Sequence, residues 1–278
     1  MANLQILRKR LSSIQATGSM ASAMKTVASV KYAKLSRIVA EFKEYYEELD
    51  AELDIVADSA FARDDKAVQM RNCYVIFSSN RGFCGGFNSG VLKLYESVIA
   101  EDPFDGDPLI VTCGDKAEKY FSHRKIRTLN QEMPDIPSFE DAEKLAEFLL
   151  EIYLNGEAKT VYIISQKFIN MMKQEPVMTT LLPHIRTDGK HVSDDDILYL
   201  PDRKSFSSTL ALDALTSEIY EILLMHCTGA QAATVVAMKN ACDNAEESAA
   251  KLEIEINRIR QAEVTNSVIE TSSGMAFE

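Results

Sequence analysis

The sequence predicts an α/β protein in which a long antiparallel coiled coil of the N- and C-terminal helices carries an inserted Rossmann-like α/β domain. The first observation is where the helix-interrupting residues lie. All seven prolines fall between Pro103 and Pro201, and of the eleven glycines only Gly18 precedes residue 82. Both ends of the chain can therefore form long helices. The other two observations are an apolar repeat at each end and an alternation of strand-like and helix-like segments between them.

The N-terminal element is a helix with heptad spacing. Steps of three and four residues reach sixteen positions, of which only Gly18 and Lys25 are not apolar when alanine and tyrosine are counted as apolar. They are Leu4, Leu7, Leu11, Ile14, Gly18, Ala21, Lys25, Ala28, Tyr32, Leu35, Val39, Phe42, Tyr46, Leu49, Leu53 and Val56. A mean period of 3.5 residues is typical of a left-handed supercoil.

The C-terminal third repeats this pattern less strictly. Apolar residues near 212–222 and 252–259 flank a stretch of small residues at 230–237, where a partner helix can approach closely. Two long helices at opposite ends of a chain pair most simply with each other, antiparallel. We therefore expect an N-terminal helix in 1–60, an α/β domain in 68–203 and a C-terminal helix in 208–278.

The middle of the chain contains short apolar runs separated by amphipathic segments. The runs at 72–79, 108–113 and 160–165 read as strands, with a weaker one at 125–130, and helices are expected near 89–100, 115–122 and 138–154. Buried strands alternating with helices predict a mainly parallel sheet covered by helices. This topology by itself indicates no nucleotide site.

Composition excludes several classes of function. The formal net charge is −12, which disfavours nucleic-acid binding. Five cysteines without a C-x-x-C pair predict neither a disulfide scaffold nor a zinc site, and we expect no metal. The run 222–238 lacks charged side chains but contains His226 and Gln231, so a buried helix is expected rather than a membrane span.

A glycine-rich turn, NRGFCGGFNSG, follows the first strand at 80–90. Its spacing matches no phosphate-binding motif and no lysine follows until Lys93, so we expect no nucleotide or other cofactor and a structural or partner-facing turn instead. Cys84 in this turn could act as a nucleophile, although no histidine is near it in sequence.

Charge is unevenly distributed along the first helix. Residues 1–40 contain seven lysines and arginines and no acidic residue. This distribution fits two interpretations: a solvated helix face, or a basic surface that meets an acidic partner.

Six segments together resemble the gamma subunit, or central shaft, of the rotary F-type ATP synthase. They are AMKTVASVKYAK (23–34), SSNRGFCGGFN (78–88), YIISQKFINMM (162–172) with LLP (181–183), LYLPD (198–202), AMKNACDNA (237–245) and NRIRQAEVTNSVIE (257–270). The resemblance implies a non-catalytic subunit whose rotation couples ion flow to ATP synthesis or hydrolysis. Its implied partners are the alternating catalytic and non-catalytic ring subunits, an epsilon subunit and an ion-carrying membrane ring. Its implied location is the cytoplasmic side of a bacterial plasma membrane, as a peripheral protein.

Partner contacts are also implied by the resemblance. Met24 and Cys84 resemble residues that face the acidic lever loop of the catalytic subunit, with Lys25 and Lys31 in the basic stretch beside it. Other positions resemble contacts with the ring or the ion-carrying ring. These are Arg260, Gln261 and Thr265 for the catalytic subunits of the ring, and Tyr199 and Asp202, with Pro201, for the foot that rests on the ion-carrying ring. Gln231 is a further expected contact residue.

Several positions depart from the family pattern: Ala230, Thr234, Cys242, Leu200 and the polar tail SSGMAFE. They leave room for a divergent paralogue. The alternative function is a nucleotide-using α/β enzyme whose helices serve only to oligomerise.

Overall fold

The structure is a computed structural model that describes residues 2–53, 71–101, 108–124, 126, 128–183 and 203–275. It separates into two compact units. The helical unit comprises the chain up to Ala28 and from Val235 onward, and the α/β unit comprises Ser29–Thr234.

Five helices and five strands are described in chain order. The helices are α1 (Ala2–Leu53), α2 (Phe87–Glu101), α3 (Asp115–His123), α4 (Phe139–Leu154) and α5 (Arg203–Met275). The strands are β1 (Cys73–Phe77), β2 (Leu109–Cys113), β3 (Leu129–Gln131), β4 (Val161–Asn170) and β5 (Lys173–Leu182). Helix α5 begins at Arg203, earlier than the expected 208. The division into domains 1–60, 68–203 and 208–278 stays a prediction, because the compact units divide both terminal helices internally.

The sheet is mixed, with N- and C-terminal helices in the same chain. Its strand order is β3-β2-β1-β4-β5, the first four strands are parallel, and β5 is antiparallel to β4. Strand β5 was not predicted from the sequence, because this edge strand contains Pro176 and several polar residues. A proline is tolerated at a sheet edge, where its missing N–H interrupts no interior ladder. The predicted β4 likewise ended at residue 165, whereas the strand in the structure continues to Asn170.

Both faces of the sheet are covered by helices within the α/β unit. On one face, Val75 and Phe77 pack with Leu149 of α4, Leu35 of α1 and Ile219 of α5. On the other face, a second cluster joins β1 to helices α2 and α3. That cluster contains Tyr74, Ile76, Val91 and Phe121. The central strand β1 is therefore buried on both sides, which explains its continuous apolar run.

In the helical unit, α1 and α5 run antiparallel. Leu7 packs with Leu252 and Ile256, whereas Ala21, further along α1, packs with Met238 and Cys242, which lie earlier in α5. Residue numbers thus rise along one helix as they fall along the other.

Helix α5 contains the only stretch among the described residues that is long and apolar enough to cross a membrane by composition. It lies within Leu212–Ile269, and half of the apolar window is buried inside the protein. Buried core helices of soluble proteins give the same signal.

Candidate partner-contact sites

The glycine-rich turn after β1 is held by the side chain of Asn88. Its Oδ1 accepts a hydrogen bond from the backbone N–H of Ser79 at 2.9 Å, and its Nδ2 donates to Ser79 Oγ at 2.8 Å and to Cys84 Sγ at 3.2 Å. One amide thus links both ends of the turn to its middle. Gly85 adopts a φ of 60°, which glycine tolerates well.

Phe83 occupies the exposed tip of this turn. Its φ is 66°, a left-handed conformation that is costly for a bulky residue, by about 1–3 kcal/mol. The side chain is nevertheless 62% exposed. An aromatic ring held outward in a strained turn is suited to apolar contact with another molecule. Phe83 was not among the contact residues predicted from the sequence, although an aromatic residue between glycines was the available signal.

Cys84, by contrast, points inward. It is buried with Phe87 and Ala230, so the turn packs against the part of α5 that belongs to the α/β unit. Its sulfur lies near Asn88 and, at 3.7 Å, near Ser79 Oγ. Neither neighbour is a base that could activate a thiol nucleophile.

The other cysteines are also buried and reduced. Burial raises the pKa of Cys73 to about 12 and that of Cys227 to about 12, and it raises the pKa of Cys113 as well. These thiols stay protonated at neutral pH and are poor nucleophiles.

His226 of α5 is buried against two phenylalanine rings, Phe77 and Phe87. Its Nδ1 accepts a hydrogen bond from the backbone N–H of Gln166 at 3.1 Å, and Gln166 Nε2 donates to the backbone oxygen of Phe87 at 2.8 Å. Burial lowers the pKa of His226 to about 3, so the ring is neutral. The pair therefore ties α5 and α2 to strand β4.

Lys31, expected to face an acidic partner, has a carboxylate within its own chain. Its Nζ lies 2.5 Å from Oδ2 of Asp135, in the segment between β3 and α4. Lys25 is half-buried on α1. Met24 is partly buried beside Ala21 and Met238 in the helical unit.

The remaining expected contact residues fall into two groups. Arg260, Gln261 and Thr265 lie together and exposed near the end of α5, where the Thr265 hydroxyl donates to the backbone oxygen of Gln261 at 2.8 Å. Gln231 is half-buried next to Ala230. The expected foot residues Tyr199 and Asp202, with Pro201, lie outside the described residues.

A cavity of about 780 Å³ opens beside the start of β2. Its lining is mainly apolar and includes Tyr95, Ile99 and Leu129. Arg71 and Glu157 also line it and form an ion pair with each other at 3.7 Å. Within the described part of the chain, no group of histidine, cysteine and acidic side chains is arranged to hold a metal ion.

Comparisons with known proteins find relatives that match nearly the whole chain. The sequence model of a family described as "ATP synthase" matches residues 3–276. The chain is 28% identical to the ATP synthase gamma chain of Desulforamulus reducens, covering 99% of each, and 29% identical to that of Rubrobacter xylanophilus, covering 99% of this chain and 98% of the relative.

Solved structures show the same fold. In the mitochondrial ATP synthase of Euglena gracilis (OSCP/F1/c-ring, rotational state 3), the matching chain has a TM-score of 0.72 at 18% identity, with 99% of this chain and 94% of that chain covered. In the rotor of the same enzyme the TM-score is 0.67 at 18% identity, with 95% and 99% covered. Together with the mixed sheet between two terminal helices, the full-length match shows that this chain belongs to the gamma-subunit family of the ATP synthases.

Proposed function

We propose that this chain is the central rotary shaft of an F-type ATP synthase and has no catalytic site of its own. It turns inside a ring of alternating catalytic and non-catalytic subunits and couples ion flow across the membrane to ATP synthesis or hydrolysis in that ring. The observation that carries the proposal is the family match over residues 3–276, which includes both terminal helices and the sheet.

The contacts in the helical unit support a coiled-coil shaft. Leu7 and Ala21 are buried on α1 at heptad positions, and their α5 neighbours Leu252 and Met238 are buried with them. Apolar contact between two antiparallel helices stiffens them as a rod, which is what transmission of rotation requires. The α/β unit is proposed to be Rossmann-like, which its parallel strands and covering helices support, with β5 added at the sheet edge.

Ring subunits, an epsilon subunit and an ion-carrying membrane ring are the proposed partners. The related Euglena structures are described as the rotor and as an assembly of OSCP, F1 and the c-ring, and these components support the assignment. Exposed Arg260, Gln261 and Thr265 are proposed to meet the catalytic subunits. At the turn, Phe83 presents the contact surface and Cys84 supports it from inside. Tyr199 and Asp202 remain proposed foot residues.

Met24, Lys25, Lys31 and Gln231 stay in the proposed contact set, although Lys31 also has Asp135 as an internal partner. The proposed location is the cytoplasmic face of a bacterial plasma membrane, held there peripherally by the membrane ring. No step requires this chain to bind a cofactor.

Purification of the native complex from source membranes tests the proposal. The expected result is co-purification of this chain with the ring subunits and the membrane ring, in a complex that hydrolyses ATP. Recovery of the chain only as a free homo-oligomer would contradict it.

The alternative, a nucleotide-using enzyme, is tested by calorimetric titration of the isolated chain with ATP. We expect no micromolar binding of ATP, because the turn contains no lysine that could bind a phosphate group. In addition, the backbone N–H of Ser79 already donates to Asn88 and that of Gly90 to Gly86. Stoichiometric micromolar binding would favour the enzyme.

A further inference from the structure

We propose that the segment Met133–Asp135, between β3 and α4, is a fastening inside the α/β unit that joins three elements: the part of α1 in this unit, the part of α5 in this unit and the glycine-rich turn. In this fastening Lys31 and Asp135 act as positioning residues. Each of the three consecutive residues of the segment is held by a different element.

The first contact comes from α1. Lys31 Nζ lies 2.5 Å from Asp135 Oδ2, and the two side chains are 25% and 45% exposed. The pair joins positions 104 residues apart in sequence. The pair Arg37–Glu41 on the same helix is different, because it is more exposed, at 76% and 69%, and joins neighbouring turns only.

The second contact comes from the glycine-rich turn. Asn80 Nδ2 donates to the backbone oxygen of Met133 at 2.6 Å. The Oδ1 of the same side chain accepts from the backbone N–H of Asp115 at 3.4 Å, at the start of α3. One amide therefore fixes the turn to the segment and to a helix that covers the sheet.

The third contact comes from α5. Cys227 Sγ donates to the backbone oxygen of Pro134 at 3.4 Å and lies 3.9 Å from Met133 Sδ. Cys227 is buried, and burial keeps its thiol protonated and able to donate. Met133 is itself buried in the core cluster beneath the sheet.

Three contacts on three adjacent residues restrain one another. Loss of any one frees a segment without regular secondary structure and thereby weakens the other two. The mechanical consequence rests on the proposed function: within the α/β unit, rotation can pass between the sheet and the helices only if the parts of α1 and α5 in this unit are fixed to it. Lys31 would then act mainly inside the subunit, by positioning α1.

The fastening is tested by hydrogen exchange of the isolated full chain. Lys31→Met and Asp135→Asn should each speed exchange of two hydrogen-bonded amides beside the segment by about two- to five-fold, the range for a partly exposed ion pair. These are the amide of Asp115, which donates to Asn80 Oδ1, and that of Gly114, which donates to the backbone oxygen of Gln131. The double variant should be no faster than either single variant, because both remove the same interaction. The reversed pair, Lys31→Asp with Asp135→Lys, should restore slow exchange.

Arg37→Met provides the matched control, since it removes an ion pair from the same helix without touching the segment. The fastening would be overturned if the effects of Lys31→Met and Asp135→Asn added in the double variant. It would also be overturned if Arg37→Met accelerated exchange equally.

The mechanical role is tested in assembled complex in membrane vesicles. Lys31→Asp, which faces Asp135 with a like charge, should lower ATP-driven ion uptake per ATP hydrolysed, and the reversed pair should recover it. If exchange responds as expected but this ratio is unchanged, the fastening has no mechanical role and the shaft assignment still stands. If the unmodified chain does not assemble with ring subunits, the shaft assignment fails while the exchange result remains valid.

Discussion

A Cβ atom built on Gly18 would lie 3.2 Å from the Cβ of Ala245. In the same place, Cys242 Sγ lies 3.6 Å from the backbone oxygen of Gly18. The two helices of the helical unit therefore approach so closely here that a side chain at position 18 would press against Ala245. This explains why a glycine occupies a heptad position in a seam whose other positions, except Lys25, are apolar.

Replacing Gly18 with a large side chain should open this seam. We expect Gly18→Leu to lower the free energy of unfolding by about 1–3 kcal/mol, because overpacking forces the helices apart. Ala16→Leu is the control, since Ala16 is exposed on the same helix. Urea unfolding measures both, and a Gly18→Leu variant as stable as Ala16→Leu would contradict the close approach.

The buried histidine should make the α/β unit sensitive to mild acid. His226 has a pKa of about 3 in the fold against 6.5 when unfolded, so the unfolded chain binds the proton first as the pH falls. Stability should be fully present above pH 6.5 and decline below it, by at most about 1.4 kcal/mol per pH unit. The measurement is the urea midpoint at several values between pH 5 and 7.

His226→Gln supplies the comparison, because glutamine does not titrate and its Oε1 can accept the N–H of Gln166. Its midpoint should depend less steeply on pH than that of the unmodified chain. Parallel pH dependences for the two proteins would show that His226 does not cause the decline.

The five cysteines should be unreactive in the folded protein. All are buried, and for Cys73, Cys113 and Cys227 the raised pKa disfavours the thiolate further. A maleimide reagent should label none of them in buffer and all five in denaturant, counted by mass spectrometry. Rapid labelling of Cys84 in buffer would indicate that the glycine-rich turn opens.

Local patterns in the sequence were enough to predict the parts of the fold that have a regular repeat. The heptad spacing of α1 identified Leu7 and Leu35 as apolar seam positions, and both are buried. The apolar run of β1 identified a strand buried on both faces. Strand β5 was missed because an edge strand needs no continuous apolar run and tolerates Pro176.

The contact sites were less predictable because they depend on residues distant in sequence. Nothing near Lys31 indicates that Asp135, 104 positions away, would pair with it. The basic stretch of α1 suggested an acidic partner, and the structure supplies one inside the chain at this position. The strain at Phe83 likewise depends on a backbone φ that only the folded turn defines.

Direct observation of rotation is the most direct test of the account. A Lys119→Cys variant places a single reactive thiol on the exposed side of α3, and the five native thiols are buried. A bead attached there, with the ring of the complex immobilised on a surface, reports the motion of this chain during ATP hydrolysis. The account predicts sustained rotation in one direction while ATP is present. Continued hydrolysis at the normal rate with only random motion of the bead would contradict it.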